Sequence, residues 1–227
     1  MSTKITIVMP VYEGVTQLDF TGPYQFLVNV PNAEVIIASV GGRTVTSSGL
    51  QFCGLSNLSV IEQCDVLCVP GGFGCIDALE DEAYLASIRR LAQSARYITS
   101  VCTGSLILGA AGLLKGKRAA CHWAWRDMLT AFGAIADAGR IVKDGNIITG
   151  GGVTAGIDFA LALIAELAGP DVAQCIQLRL EYAPELPFNA GRPETAPVEI
   201  VEIVTKKIAA QLGDRREHIA LAAARLM

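Results

Sequence analysis

Short β-branched apolar runs alternate with longer stretches of helical spacing along the whole chain. The runs Ile5 to Met9, Val35 to Val40, Val66 to Val69, Tyr97 to Val101, Ala119 to Cys121 and Ile147 to Thr149 have the length and composition of strands. Helical spacing is found over about Pro23 to Val28, Ala78 to Ala95, Gly104 to Ala111, Ala124 to Phe132 and Ala155 to Leu167. Consecutive strands separated by helices predict an α/β fold with a mostly parallel sheet flanked by helices on both faces, since each parallel pairing needs a crossover. Within Glu80 to Ala95, Leu85, Ile88 and Leu91 recur at helical spacing among Asp81, Glu82, Arg89 and Arg90, the pattern of an amphipathic surface helix. Turn chemistry at Val40 to Thr44 and Lys143 to Asn146 predicts tight connections, with Arg140 to Thr149 forming a hairpin around Asp144-Gly145. Glu181 to Pro197 holds four of the nine prolines and is expected to be an irregular arm, followed by a helix pair over about Val198 to Leu212 and Arg215 to Leu226. No linker, repeat or low-complexity segment divides the chain, so a single domain over residues 1–227 is expected.

Composition narrows the function. The apolar stretches, such as Leu106 to Leu114, are broken by Gly and end at Lys115, short of the ~20 residues a membrane span needs, so no membrane partner is expected. Met-Ser-Thr-Lys passes at once into an apolar run without a small-residue cleavage site, which points to a cytoplasmic protein. Eighteen basic and twenty-two acidic residues give a net charge of −4 with no basic stripe, against a nucleic-acid partner. Seven cysteines without a secretion signal are expected to be reduced thiols. Cys64-x3-Cys68 has no matching pair downstream and the chain has two histidines, so no metal is expected.

One thiol stands apart by position. The apolar run Tyr97 to Val101 ends at Cys102, and a helix with Gly104 and Ser105 in its first turn follows, the arrangement of a nucleophile elbow. Open α/β sheets bind ligands at the carboxyl ends of their strands, and a helix N-terminus favours a thiolate there. A second strand end carries Pro70-Gly-Gly-Phe-Gly74, where the amides of Gly72 and Thr103 form a candidate oxyanion site, or Gly72 serves a plain tight turn. A third carries Gly150-Gly151-Gly152-Val153 ahead of a helix, which is either a backbone nest or a close helix–sheet contact. Pro23 suits a first helical position with Thr21 or Gly22 as its cap, leaving Asp19 just outside the helix between Leu18 and Phe20. There Asp19 is either a structural hydrogen bonder or a general acid/base with a pKa raised by desolvation. His122 follows the run Ala119 to Cys121 and either approaches the sulfur or satisfies a helix end.

These segments resemble the ThiJ/PfpI superfamily, and within it the isonitrile (isocyanide) hydratases. The similarity runs through Leu18-Asp-Phe-Thr-Gly-Pro-Tyr24, Val69-Pro-Gly-Gly-Phe-Gly74, Val101-Cys-Thr-Gly-Ser105, Cys121-His-Trp-Ala-Trp-Arg126, Gly150 to Asp158 and Glu181 to Phe188. The resemblance implies a glutamine-amidotransferase-like, flavodoxin-like fold, a homodimer, no metal and no organic cofactor. It also implies a nucleophile at Cys102 and an acid/base carboxylate at Asp19, with backbone amides near Thr103 and in Gly151 to Val153 completing the site. Cys121 departs from the threonine expected in the Thr-His-Trp version of its box. The resemblance implies an isocyanide substrate, and the residues fit it: its carbon takes a nucleophile and then a proton, for which one thiol with one acid is the minimum equipment.

Rival readings start from the same residues. Thr103 stands where the superfamily's proteases resemble a Cys-His elbow, and no His-x-Glu pair follows for an amidotransferase triad. A glyoxalase or deglycase needs only a reactive Cys and a carboxylate and stays open. A ligand-sensing domain of a regulator is disfavoured, because the roughly thirty residues after Pro197 are too few for a helix-turn-helix module.

Overall fold

The computed structural model describes residues 4–226, and residues 1–3 and 227 of the expected domain lie outside them. The first half runs β1 (Ile5–Pro10), α1 (Gln17–Leu27), β2 (Ala33–Ser39), β3 (Val45–Ser47), β4 (Leu50–Phe52), β5 (Ser56–Asn57), β6 (Val66–Val69), α2 (Cys75–Glu80) and α3 (Glu82–Ser94). The second runs β7 (Tyr97–Val101), α4 (Gly104–Ala110), β8 (Arg118–Ala119), β9 (Ile135–Ala136), β10 (Ile141–Asp144), β11 (Ile147–Gly150), α5 (Ala155–Ala168), α6 (Pro170–Arg179), α7 (Val198–Leu212) and α8 (Arg215–Ala224).

The seven-stranded sheet has the order β10-β11-β7-β6-β1-β2-β5 and is parallel except for the β10–β11 hairpin. Strands β1, β6 and β7 fill its centre, and their residues Ile7, Val8, Val66, Leu67 and Val101 are fully buried. Helices α1, α5 and α6 pack together as one layer, and α2, α3, α4 and α8 as another. From β1 the chain moves outward to β2, then returns to β6 on the other side and continues through β7 to β11. The change of direction between β1 and β6 leaves a crevice at their carboxyl ends, where an open α/β sheet holds its ligands. Two buried tyrosines pin that edge: Tyr12 Oη donates to Pro70 O at 3.1 Å and Tyr84 Oη to Pro10 O at 3.0 Å.

Several boundaries depart from the pattern-based reading. The expected helix over Ala78 to Ala95 is two, because Asp81 is extended and its carboxylate accepts from the Tyr84 amide at 3.0 Å as the cap of α3. Helix α1 starts at Gln17 rather than Pro23, with Thr16 at its cap position, so Asp19 lies in the first turn and Pro23 inside the helix. Burial of Phe20, Pro23, Phe26 and Leu27 holds this helix against the proline's preference for a first turn. The expected strand over Ala119 to Cys121 shrinks to β8, whose next residue, Ala120, donates instead to Thr149 Oγ1 at 2.7 Å. The segment Arg126–Phe132 is a 3-10 helix rather than an α-helix, and α6 falls in a stretch with no strong apolar period.

Close backbone approach at the sheet's edge sets the strictest local demand. A Cβ at Gly104 would lie 2.2 Å from Val69 O and 2.9 Å from Pro70 O, which are main-chain atoms that cannot move aside. Gly104→Ala is therefore expected to lower the unfolding free energy by about 1–3 kcal/mol or more in urea titration. Gly191→Ala, where a Cβ meets nothing within 4 Å, should leave it within about 0.5 kcal/mol.

Candidate active site

Strand β7 ends in a sharp elbow. Cys102 has φ +59°, a left-handed conformation that costs a non-glycine residue about 1–3 kcal/mol and is retained only where the surroundings enforce it. Its amide still donates to Gly150 O at 3.1 Å, extending the β7–β11 ladder by one bond, and helix α4 starts two residues later. Behind the elbow, Ser100 Oγ and Ser105 Oγ lie 2.8 Å apart and Ser105 Oγ donates to Ala120 O, tying strand, helix and the β8 connection together.

Asp19 reaches this point from α1 and is completely buried. Its Oδ2 accepts from the Gly71 amide at 3.0 Å. Among the described residues Oδ1 accepts no hydrogen bond of ordinary geometry, yet the carboxyl and the Cys102 thiol lie close enough to interact through their side chains. Gly71 is the hinge of the arrangement: a Cβ there would sit 2.4 Å from Thr103 N, 2.6 Å from Thr103 Oγ1 and 2.9 Å from Asp19 Oδ2. Glycine alone lets the turn after β6, the elbow and the carboxylate converge.

Electrostatics follow burial. Desolvation pushes Asp19 up to about 7, opposed by the Cys102 thiol and the Gly71 amide. Desolvation likewise raises the Cys102 thiol, with the Asp19 charge and Cys121 adding to the rise, and the Thr103 amide opposes it. Burial thus works against the free thiolate expected at the helix terminus. Desolvation of a charged sulfur favours the thiol form, beside the Asp19 carboxyl. Burial also lowers His122, which stays neutral; its Nδ1 accepts from the Ala124 amide at 3.3 Å and its ring stacks on Trp123.

A cavity of about 230 Å³ opens onto the sulfur, lined by Thr16, Gly72, Phe73, Cys102, Thr103, His122, Trp125, Val153, Ile208 and Gln211. Of the expected site residues it gathers Cys102, Thr103, Gly72, His122 and Val153, with Asp19 buried behind Cys102. The Gly72 amide is committed to Thr103 Oγ1 at 2.9 Å, so it is not the free oxyanion donor expected. Gly151 and Gly152 line a neighbouring cavity instead, and the Gly151 amide is used by Arg140 O at 2.9 Å. Thr16, Phe73, Trp125, Ile208 and Gln211 were not singled out by sequence; Trp125 and Phe73 meet edge to face at 6.1 Å as one wall. Only the aromatic-rich run around Trp125 carried any signal for them.

The DJ-1/PfpI family model matches residues 4–166, which include the elbow, Asp19 and the Gly71 turn. An isonitrile hydratase of Pseudomonas putida is 52% identical over 219 residues, 95% of this chain and 95% of that protein. The crystal structure of a ThiJ/PfpI family protein from Pseudomonas syringae superposes with a TM-score of 0.91 at 40% identity, covering 97% of this chain and 91% of that one. Drosophila melanogaster DJ-1beta, with a TM-score of 0.71, 23% identity and coverage of 80% and 100%, shares the fold. A family model over most of the chain and a relative alike over nearly all of it make this protein a member of the DJ-1/PfpI family.

Proposed function

We propose that this protein is an isonitrile hydratase, converting isocyanides to N-substituted formamides with Cys102 as nucleophile and Asp19 as the group that moves the proton. The observation that carries the reading is the buried thiol–carboxyl pair: the sulfur has one proton to give, and Asp19, at about 7, is the base beside it. The near full-length likeness to the Pseudomonas putida isonitrile hydratase supports the same substrate class.

In the first step Asp19 takes the thiol proton as Sγ bonds to the terminal isocyanide carbon, and the same proton passes from Asp19 to that carbon. The product is a thioimidate, Cys102–S–CH=N–R. A water molecule then adds to this carbon, and the proton it loses passes through the Asp19 carboxylate to the nitrogen, giving Cys102–S–CH(OH)–NH–R. This tetrahedral centre breaks its C–S bond as Asp19 takes the hydroxyl proton and hands it to the leaving sulfur, and R–NH–CHO departs. One isocyanide and one water are consumed, and the pair ends as it began. The Thr103 amide beside the sulfur favours developing negative charge there, and Trp125, Phe73 and Val153 give the pocket apolar walls. Thr103, Gly72 and His122 border the bound substrate in this reading, with Val153 packing on its apolar part. Gly151 and Gly152 act as backbone support for that wall. We further propose that the chain works as a single-domain, cytoplasmic homodimer.

Following formamide release from a simple alkyl isocyanide, Cys102→Ala is expected to lower kcat/KM by about 10³-fold or more, and Asp19→Asn by about 10²–10⁴-fold. Full turnover by Cys102→Ala would remove the nucleophile from the reading. The pair also sets opposite pH trends. Between about pH 4, where an unfolded carboxyl titrates, and about 7, the folded state holds the extra Asp19 proton. Stability should therefore fall as pH rises through this window and level off above it, while kcat/KM rises as the carboxylate forms. Asp19→Asn should flatten the urea midpoint across the window and exceed wild type at pH 8 by on the order of 2–4 kcal/mol.

A further inference from the structure

Beside the cysteine pocket lies a second cavity of about 220 Å³, and His122 and Val153 line both. Three arginines face it: Arg126, Arg140 and Arg192. Arg140 Nε is paired with Asp158 Oδ2 at 2.5 Å and its Nη2 donates to Thr154 O at 3.1 Å. Arg192 Nε lies 3.6 Å from Glu194 Oε2 and its Nη2 donates to Ala138 O at 2.5 Å. Arg126, half-buried in the 3-10 helix that follows Trp125, has no hydrogen bond or ion pair among the described residues. It feels Asp137, but that carboxylate is already held by Arg118 at 2.6 and 3.0 Å and by the Gly139 amide at 2.8 Å. Arg140 and Arg192 each have a carboxylate partner, so of the three arginines Arg126 alone makes no ion pair among the described residues.

The backbone repeats the sign. The amides of Gly152, Val153 and Thr154, at the entrance to α5, donate to nothing among the described residues, and all three residues line this cavity. A half-buried guanidinium without a protein partner keeps its donors for a ligand, and free amides at a helix entrance carry partial positive charge. A planar oxyanion fits both, since a carboxylate can take two parallel N–H donors from a guanidinium.

We propose that this cavity recognises a carboxylate carried by the isocyanide substrate, with Arg126 as the residue that selects for it. The inference rests on the hydratase reading above and narrows its substrate class to isocyanides with an acidic tail. The reactive carbon sits at Cys102, the chain of the substrate passes His122 and Val153, and its carboxylate ends at Arg126.

The test compares ω-isocyanoalkanoates of increasing chain length with their methyl esters. At one chain length the wild type should prefer the acid by about 10–100-fold in kcat/KM, the range that charge-assisted hydrogen bonds supply. Arg126→Gln should bring the acid-to-ester ratio close to one, and Arg126→Lys should keep part of it. Because the ratio compares two substrates on one preparation, loss of folded enzyme cancels. A second measurement needs no turnover: by calorimetry, the N-formyl acid product should bind wild type more tightly than its methyl ester, and Arg126→Gln should erase the difference. A wild-type ratio near one at every chain length overturns the proposal, as does a preference unchanged in Arg126→Gln. Inorganic phosphate that inhibits acid and ester alike would assign the cavity to a free anion and overturn it too. If neither acid nor ester is hydrated, the hydratase reading falls, while calorimetry still decides whether the cavity selects a carboxylate.

Discussion

The site depends on main chains brought closer than any side chain allows. Gly104 packs on the carbonyls that end β6, and Gly71 packs on the Thr103 amide and the Asp19 carboxylate. With those contacts in place, the elbow at Cys102 can hold its left-handed backbone, because the β7–β11 ladder continues through its amide on one side and α4 starts on the other. Three strand ends are thereby locked together with less freedom than any one would have alone. The rigidity is inherited from the sheet, whose strands β6 and β7 are buried at every position.

Burial decides the chemistry as firmly as the backbone decides the geometry. In water a thiol and a carboxyl would differ widely in acidity and the carboxyl would hold no proton at neutral pH. Taken out of water together they are each pushed toward the neutral form, and Asp19 comes into the range where it can both accept and return a proton. The Oδ1 atom left without an ordinary partner belongs to the same logic, since a carboxylate satisfied by several amides would be a poor base. Above neutral pH the folded state holds this carboxylate at a loss.

Much of this was legible in sequence, for identifiable reasons. Strands β6 and β7 are continuous apolar runs bounded by turn residues, and a cysteine at the end of such a run is conspicuous. Asp19 was legible as an acid in apolar company, but its place in α1 was not, because Pro23 mimics a helix start and the burial that overrides it is tertiary. The division at Asp81 had a local signal, a capping residue ahead of a helical run, which the longer amphipathic period masked. The capture of the Gly72 amide by Thr103 had none, since it joins residues thirty-one apart and exists only once β6 and β7 are neighbours. The same holds for the cavity at Arg126, assembled from the end of a 3-10 helix, the entrance to α5 and the proline-rich arm.

Helix α7 has a single buried residue, Leu212, yet its Ile208 and Gln211 form part of the wall facing the sulfur. The thiol–carboxyl pair lies inside the stretch matched by the family model, residues 4–166, and these two wall residues lie outside it. Part of the pocket's lining is thus written outside the family stretch, while Phe73, Trp125 and Val153 lie within it. A helix held by few core contacts can exchange its inward side chains at little cost to folding, so relatives with the same thiol and carboxyl are free to diverge in what they admit.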